Sequence, residues 1–76
     1  MGAMTMAIQD YDIVAFEYQA GQYRILKQQG GRLLTIDNGP YTQAEADELA
    51  VRLARELNAD AYRLQMNGQI EELKGL

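Results

Sequence analysis

The amino-acid sequence predicts an α+β domain in which a three-stranded antiparallel meander is followed by one amphipathic helix and a C-terminal strand, in the order β-β-β-α-β. Two observations carry this prediction. Apolar and polar residues alternate in the first half of the chain, whereas apolar residues recur every three or four positions in the second half. These are the periodicities of strands and of a helix that each bury one face.

The first predicted strand covers residues 11–18, which are rich in β-branched and aromatic residues. Its alternate residues fall on two faces, with Val14, Phe16 and Tyr18 on one and Ile13, Ala15 and Glu17 on the other. A polar segment containing Gly21 then predicts a hairpin loop. The pattern resumes as a second strand over residues 23–28.

The third predicted strand covers residues 32–36 and follows a tight turn at Gly30-Gly31, where both residues adopt positive φ freely. Four turn-forming residues come next, Asp37-Asn38-Gly39-Pro40. Such a cluster predicts the end of the sheet segment at residue 36.

The helix is predicted over residues 43–57. Thr42 and Glu45 have the spacing of a capping box, in which each side chain binds a backbone N–H of the other residue. The apolar stripe consists of Ala46, Leu49, Ala50, Leu53, Ala54 and Leu57. Leu53 lies in its middle and is expected to be among the most buried side chains. Asn58 favours the left-handed conformation that ends a helix.

The C-terminal strand is predicted over residues 61–66, where Tyr62, Leu64 and Met66 alternate with polar residues and form one buried face. Asn67-Gly68 is a strong hairpin signal. Residues 69–73 are only weakly strand-like, so a short return segment and a frayed tail are expected after this turn.

Several short motifs resemble the YegP-like family of small uncharacterised bacterial domains. They are Gly21-Gln22-Tyr23-Arg24, Gly30-Gly31, Leu33-Leu34 and Gly39-Pro40-Tyr41-Thr42, within a region from about Phe16 to Ala46. The chain departs from the family at Gly30, where Asn is usual, and at Ile25 and Leu26, where the family carries a Phe. The resemblance implies tandem or dimeric pairing, with one continuous sheet and exchanged C-terminal strands, and it brings no catalytic residues.

The length of the chain favours a homodimer. A domain of 76 residues without cysteine or histidine has no disulfide and no zinc site to supplement a small core. The three-residue link 58–60 between helix and last strand favours exchange of that strand with a second copy. The predicted dimer interface is Tyr62, Leu64 and Met66, packed under the leucines of the neighbour's helix. Residues 1–6 are interpreted as a cloning scar or disordered start, and residues 7–76 as one domain.

The composition also limits the location and the chemistry of the protein. Its longest apolar run has four residues, Ile13 to Phe16, far short of the ~20 needed to span a membrane. The lack of cysteine gives no sign of an oxidising compartment, so a cytoplasmic location is expected. Without His or Cys the commonest general base, nucleophile and transition-metal ligands are missing, so neither an enzyme nor a cofactor is expected.

A basic ribbon provides the predicted partner-binding surface. Its members, aromatic or cationic, are Tyr18, Tyr23, Arg24, Lys27 and Arg32, in a segment that has no acidic residue from Tyr18 to Ile36. Tyrosine and arginine dominate protein-binding hot spots. Aromatic rings with flanking cations also bind single-stranded nucleic acid, but a net charge of −4 disfavours a polyanion.

An alternative surface is the acidic face of the helix, formed by Glu45, Asp47, Glu48 and Glu56. These carboxylates would suit a basic groove on a larger protein, as in a phage-encoded inhibitor or adaptor of a host protein. The sequence therefore predicts first a homodimeric protein-interaction module, second such an inhibitor, and third a weak binder of single-stranded nucleic acid.

Overall fold

The computed structural model describes residues 8–74. The elements are β1 (Ile13–Gln19), β2 (Gln22–Gln29), β3 (Arg32–Tyr41), α1 (Gln43–Glu56), β4 (Ala61–Leu64) and β5 (Ile70–Leu73). The α+β class and the predicted element order are confirmed, and the return segment after Asn67-Gly68 forms β5. The expectations for residues 1–6 and for the last two residues lie outside the described residues.

The strands form a mixed five-stranded sheet in the order β3-β2-β1-β4-β5. β1, β2 and β3 are an antiparallel meander, as predicted. β4 pairs parallel to β1, and β5 returns antiparallel to β4. The short link 58–60 therefore allows β4 to pair with β1 of its own chain. The two edge strands of the sheet are β3 and β5. Whether a second copy extends this sheet stays a prediction.

The helix packs over one face of the sheet, mainly against β1 with β4 and β2 on either side. This helix-covered face holds the main core, made by Ile13, Ala15, Tyr23, Ile25 and Ala61 of the strands with Ala46, Ala50, Val51 and Ala54 of the helix. The opposite face, here called the open face, holds a second cluster of Val14, Leu26 and Tyr62, against which Ile8, Phe16 and Leu64 pack.

The helix begins with the predicted capping box. The Glu45 N–H donates to the Thr42 hydroxyl oxygen at 3.2 Å, and the Thr42 N–H donates to the Glu45 carboxylate at 2.9 Å. The helix ends at Glu56, and Asn58 adopts the expected left-handed conformation with φ of 57°.

The prediction that Leu53 is among the most buried residues is wrong, because Leu53 is only half-buried and Leu57 is 44% exposed. The buried centre of the helix consists of the alanines at 46, 50 and 54 with Val51. Small side chains let a helix approach a sheet closely, so the larger leucines lie along its flank.

β3 is longer than predicted and includes the four turn-forming residues. The ladder with β2 shifts register between Tyr23 and Leu26, so extra residues of β3 bulge while pairing continues to Tyr41. Gly39 has φ of 65°, and a Cβ there would lie 2.7 Å from the Tyr41 backbone nitrogen, which requires glycine. Proline is tolerated because β3 is an edge strand, where one side of the backbone needs no partner.

β4 presents its residues to the faces opposite to those predicted. Arg63 lies on the helix-covered face, where its guanidinium donates two hydrogen bonds to Asp47 of α1 from Nε, at 3.1 and 3.2 Å, and one from Nη2 at 2.6 Å. Because neighbours alternate along a strand, Tyr62 and Leu64 lie on the open face. Within this sheet they do not pack under the helix leucines, and their packing under the leucines of a neighbour's helix stays a prediction. β4 ends before Met66, which is 61% exposed.

In residues 8–74 no helix combines the length and the apolar character required to cross a membrane.

The capping box gives a first prediction. Thr42→Ala should lower the free energy of unfolding by about 1 kcal/mol, because it removes the acceptor for a helix N–H. Thermal unfolding with Thr42→Ser as control measures this, since serine keeps the hydroxyl. An alanine variant as stable as the serine variant would contradict a stabilising role for the cap.

The Asp47–Arg63 pair gives a second prediction. The two side chains are only 11% and 14% exposed, so Asp47→Asn should cost roughly 2–3 kcal/mol, somewhat less than the loss of a fully buried pair. Glu71→Gln is the matched control, because Glu71 binds the same guanidinium at 2.9 Å but is 61% exposed, and should cost about 0–1 kcal/mol. Urea denaturation of both variants measures the difference, and equal small losses would contradict it.

Candidate functional site

The basic ribbon is divided between the two faces of the sheet. Arg24 is opposite Phe16 in the β1–β2 ladder, so it lies on the open face. Its guanidinium carbon is 4.0 Å from the centre of the Tyr18 ring, which is a cation–π geometry. The Tyr18 hydroxyl lies 3.3 Å from the Gln22 side-chain oxygen, to which it donates a hydrogen bond. Of the members of the basic ribbon, Tyr18 and Arg24 are thus brought together by the fold.

Tyr23 is not available to a partner, because it is 1% exposed and belongs to the core under the helix. Its hydroxyl donates to the Gln43 side chain at 3.3 Å, and burial raises the pKa of Tyr23. The strand period explains this outcome, since Tyr23 and Arg24 are consecutive and point to opposite faces. The prediction that Tyr23 is a binding residue is therefore wrong.

The other two cations of the ribbon do not join Arg24. Lys27 is opposite Ile13 and so belongs to the helix-covered side, where its ammonium lies 5.7 Å from the centre of the Tyr11 ring. Arg32 is exposed at the start of β3. No single surface therefore carries all three cations.

The Tyr18–Arg24 pair borders the apolar cluster of the open face. Val14 and Tyr62 are at most 6% exposed there, while Phe16 and Leu64 are half-buried and lie opposite each other in the β1–β4 ladder. Burial is also the main reason that the pKa of Tyr62 is raised. Within residues 8–74 no helix or second sheet covers this face, so part of its apolar surface remains in contact with solvent.

Arg24 is partly desolvated in this position. Its Nε atom is buried, and no acceptor among the described residues binds it. A buried donor without a partner costs free energy, and native structures contain few of them. The guanidinium therefore lies at the border of the apolar cluster with hydrogen-bonding capacity still unused.

The predicted acidic face is also divided. Asp47 is 8% exposed and bound to Arg63, and the hydrogen bond that the Arg63 guanidinium donates to Asp47 is the largest cause of the raised pKa of Arg63. Glu45 holds the capping box. Only Glu48 and Glu56 are exposed without such a structural role in the described contacts. The prediction is therefore wrong for Asp47, which the fold uses internally.

Glu17 connects two turns that no sequence pattern associates. Its carboxylate accepts hydrogen bonds from the Gly21 N–H at 2.8 Å and from the Met66 N–H at 3.1 Å, which lower the pKa of Glu17. This contact places Met66, one of the predicted interface residues, just beyond the end of β4 and close to the β1–β2 turn.

A feature that the sequence reasoning missed is the exposed edge at β3. Leu33, Leu34 and Ile36 are 38%, 39% and 47% exposed. The sequence contains a signal for this apolar edge in the run of four successive β-forming residues, 33–36. Their exposure depends on β3 being an edge strand, which follows from the pairing of β4 with β1 on the far side of the sheet.

A shallow cleft of about 330 Å³ lies between the end of the helix and β5. Apolar residues such as Val51 and Leu73 line it together with charges of both signs, including Asp60, Arg55 and Lys74. The chain has no histidine or cysteine to supply a base or a thiol there.

Comparisons with protein-family models, with curated proteins and with solved structures find no match for this chain, and nothing in them bears on the YegP-like resemblance.

Proposed function

We propose that this chain is a non-enzymatic, homodimeric protein-interaction module that binds a protein partner through its open face. The observation that carries the proposal is the Tyr18–Arg24 pair at the border of an apolar sheet face. The proposal places the module in the cytoplasm, because the chain has no cysteine.

The chemistry of this face is that of a protein-binding hot spot. Tyrosine and arginine are enriched at such sites, and the best of them lie where an apolar surround excludes water. Phe16 and Leu64 supply apolar surface beside Arg24. A partner carboxylate placed against the guanidinium would gain a charge-assisted hydrogen bond while its apolar neighbours cover the cluster. The expected ligand is thus an apolar segment that carries an acidic residue.

The other two functions are less well supported by this geometry. A nucleic-acid surface needs several cations on one face, whereas Arg24 and Lys27 are on opposite sides of the sheet. An inhibitor that acts through the acidic helix face would rely on Glu48 and Glu56, since Asp47 is bound to Arg63. Homodimer formation is supported by the small size of the chain, which limits the core that one copy can bury.

The test of partner binding begins with a photo-crosslinking residue in place of Tyr18 in the cells that produce the protein, and the same residue in place of Glu48 as control. The crosslinked partner is then purified and its affinity measured by calorimetry. Arg24→Ala should weaken binding by about tenfold or more, the equivalent of ~1.4 kcal/mol. Arg52→Ala, an exposed arginine on the helix, should leave the affinity unchanged.

Two results would contradict the proposal. Crosslinking from position 48 alone, with affinity lost in Glu48→Gln or Glu56→Gln, would favour the acidic helix face. Salt-sensitive binding of a single-stranded oligonucleotide that is lost in Arg24→Ala would assign the open face to nucleic acid.

A further inference from the structure

The outer edge of β3 is a long strand edge without a partner. β3 has ten residues and pairs with β2 on one side, and no segment within residues 8–74 pairs with the other. The unpaired N–H and C=O groups of such an edge are a template for another strand. Exposed Leu33, Leu34 and Ile36 lie along it, and residues 33–36 include no charge or proline that would prevent pairing.

The opposite edge of the sheet is different. β5 has only four residues, and its two central residues are the acids Glu71 and Glu72. Short length and charge are common ways of protecting an edge strand from association. β3 lacks both forms of protection along its apolar segment.

We infer that β3 pairs antiparallel with β3 of a second copy, so that two five-stranded sheets join into one continuous sheet around a two-fold axis near Thr35. This inference rests on the homodimer in the proposed function and identifies its interface. It replaces exchange of the last strand, because β4 is already paired on both sides within its own chain, with β1 and β5.

The charges along β3 suit pairing with itself. Arg32 stands at one end of the apolar segment and Asp37 at the other, so an antiparallel two-fold near Thr35 brings Arg32 of each copy beside Asp37 of the other. Arg32 has no ion-pair partner within the described part of the chain. Asp37 is bound by the Gly39 N–H and the Tyr41 hydroxyl, which are neutral donors, so a cation is still favourable there.

The same arrangement avoids repulsion between the copies. The two Arg32 residues are separated by about five residue positions, roughly 17 Å along the strands, which exceeds the screening length at physiological salt. Although each chain has a net charge of −4, no acid occurs from Tyr18 to Ile36, so the approaching edges do not bring acidic clusters together. A second copy thus matches this edge in both polarity and charge.

The first experiment measures the oligomeric state of the full chain by sedimentation equilibrium. The wild type should have about twice the chain mass of 8.6 kDa. Leu34→Lys should weaken the dimer about tenfold or more, ~1.4 kcal/mol, with an unchanged circular dichroism spectrum. Leu57→Lys is the matched control, since Leu57 is similarly exposed but lies at the end of the helix, and it should leave the dimer intact.

A charge exchange tests the pairing itself. Arg32→Asp and Asp37→Arg should each be monomeric, because each places like charges together at both ends of the interface. An equimolar mixture of the two variants should form a heterodimer, because both contacts then join opposite charges. Arg32→Asp changes an exposed residue, so it remains informative if Asp37→Arg is unstable.

Three outcomes would overturn the inference. A dimer that survives Leu34→Lys and Arg32→Asp but dissociates in Leu64→Asp would place the interface on the open face or in an exchanged strand, while homodimer formation would stand. A variant pair that stays monomeric on mixing, although both variants are folded, would exclude the Arg32–Asp37 contact. A monomeric wild type would remove the dimer altogether, whereas the proposal that a single open face binds a partner at Arg24 would stand.

Discussion

The ion pair between Asp47 and Arg63 determines how the two faces of the sheet are used. Arg63 lies under the helix because Asp47 offers it a bidentate carboxylate in a largely buried position, and Glu71 binds the remaining side of the guanidinium. One strand position fixes the orientation of its neighbours. Tyr62 and Leu64 are therefore directed to the open face, where they complete an apolar cluster that no helix covers.

The size of the helix residues follows from the same arrangement. The pair bridges a short distance between α1 and β4, and the alanines at 46, 50 and 54 allow the close approach that it requires. Leucines at these positions would hold the helix further from the sheet and separate Arg63 from Asp47. The leucines of α1 instead occupy its flank, so the stripe predicted from the sequence contains the deepest residues as its alanines, whereas Leu53 is not among them.

Local signals were predictable from the sequence, and the choice between faces was not. The Thr42–Glu45 box and the left-handed Asn58 depend on residues within one turn of the helix. Strand alternation separates residues into two sets, but it does not say which set is buried when both are apolar, as with Val14 and Ile13. That choice depends on Asp47 and Arg63, sixteen residues apart. The separation of Tyr23 from Arg24, by contrast, was implied by their adjacency in a strand.

The proposed dimer uses the outer edge of β3, whereas the proposed partner site uses Tyr18 of β1 and Arg24 of β2. The two interactions can therefore occur together. A two-fold axis normal to the sheet keeps both helices on one side and both open faces on the other. The dimer would then present two Tyr18–Arg24 pairs on one continuous surface. A partner with two matching acidic segments would bind both at once, and the second contact would form at the high effective concentration that a shared sheet provides. Dimer formation at β3 would thereby strengthen partner binding at Arg24 without any contact between the two sites.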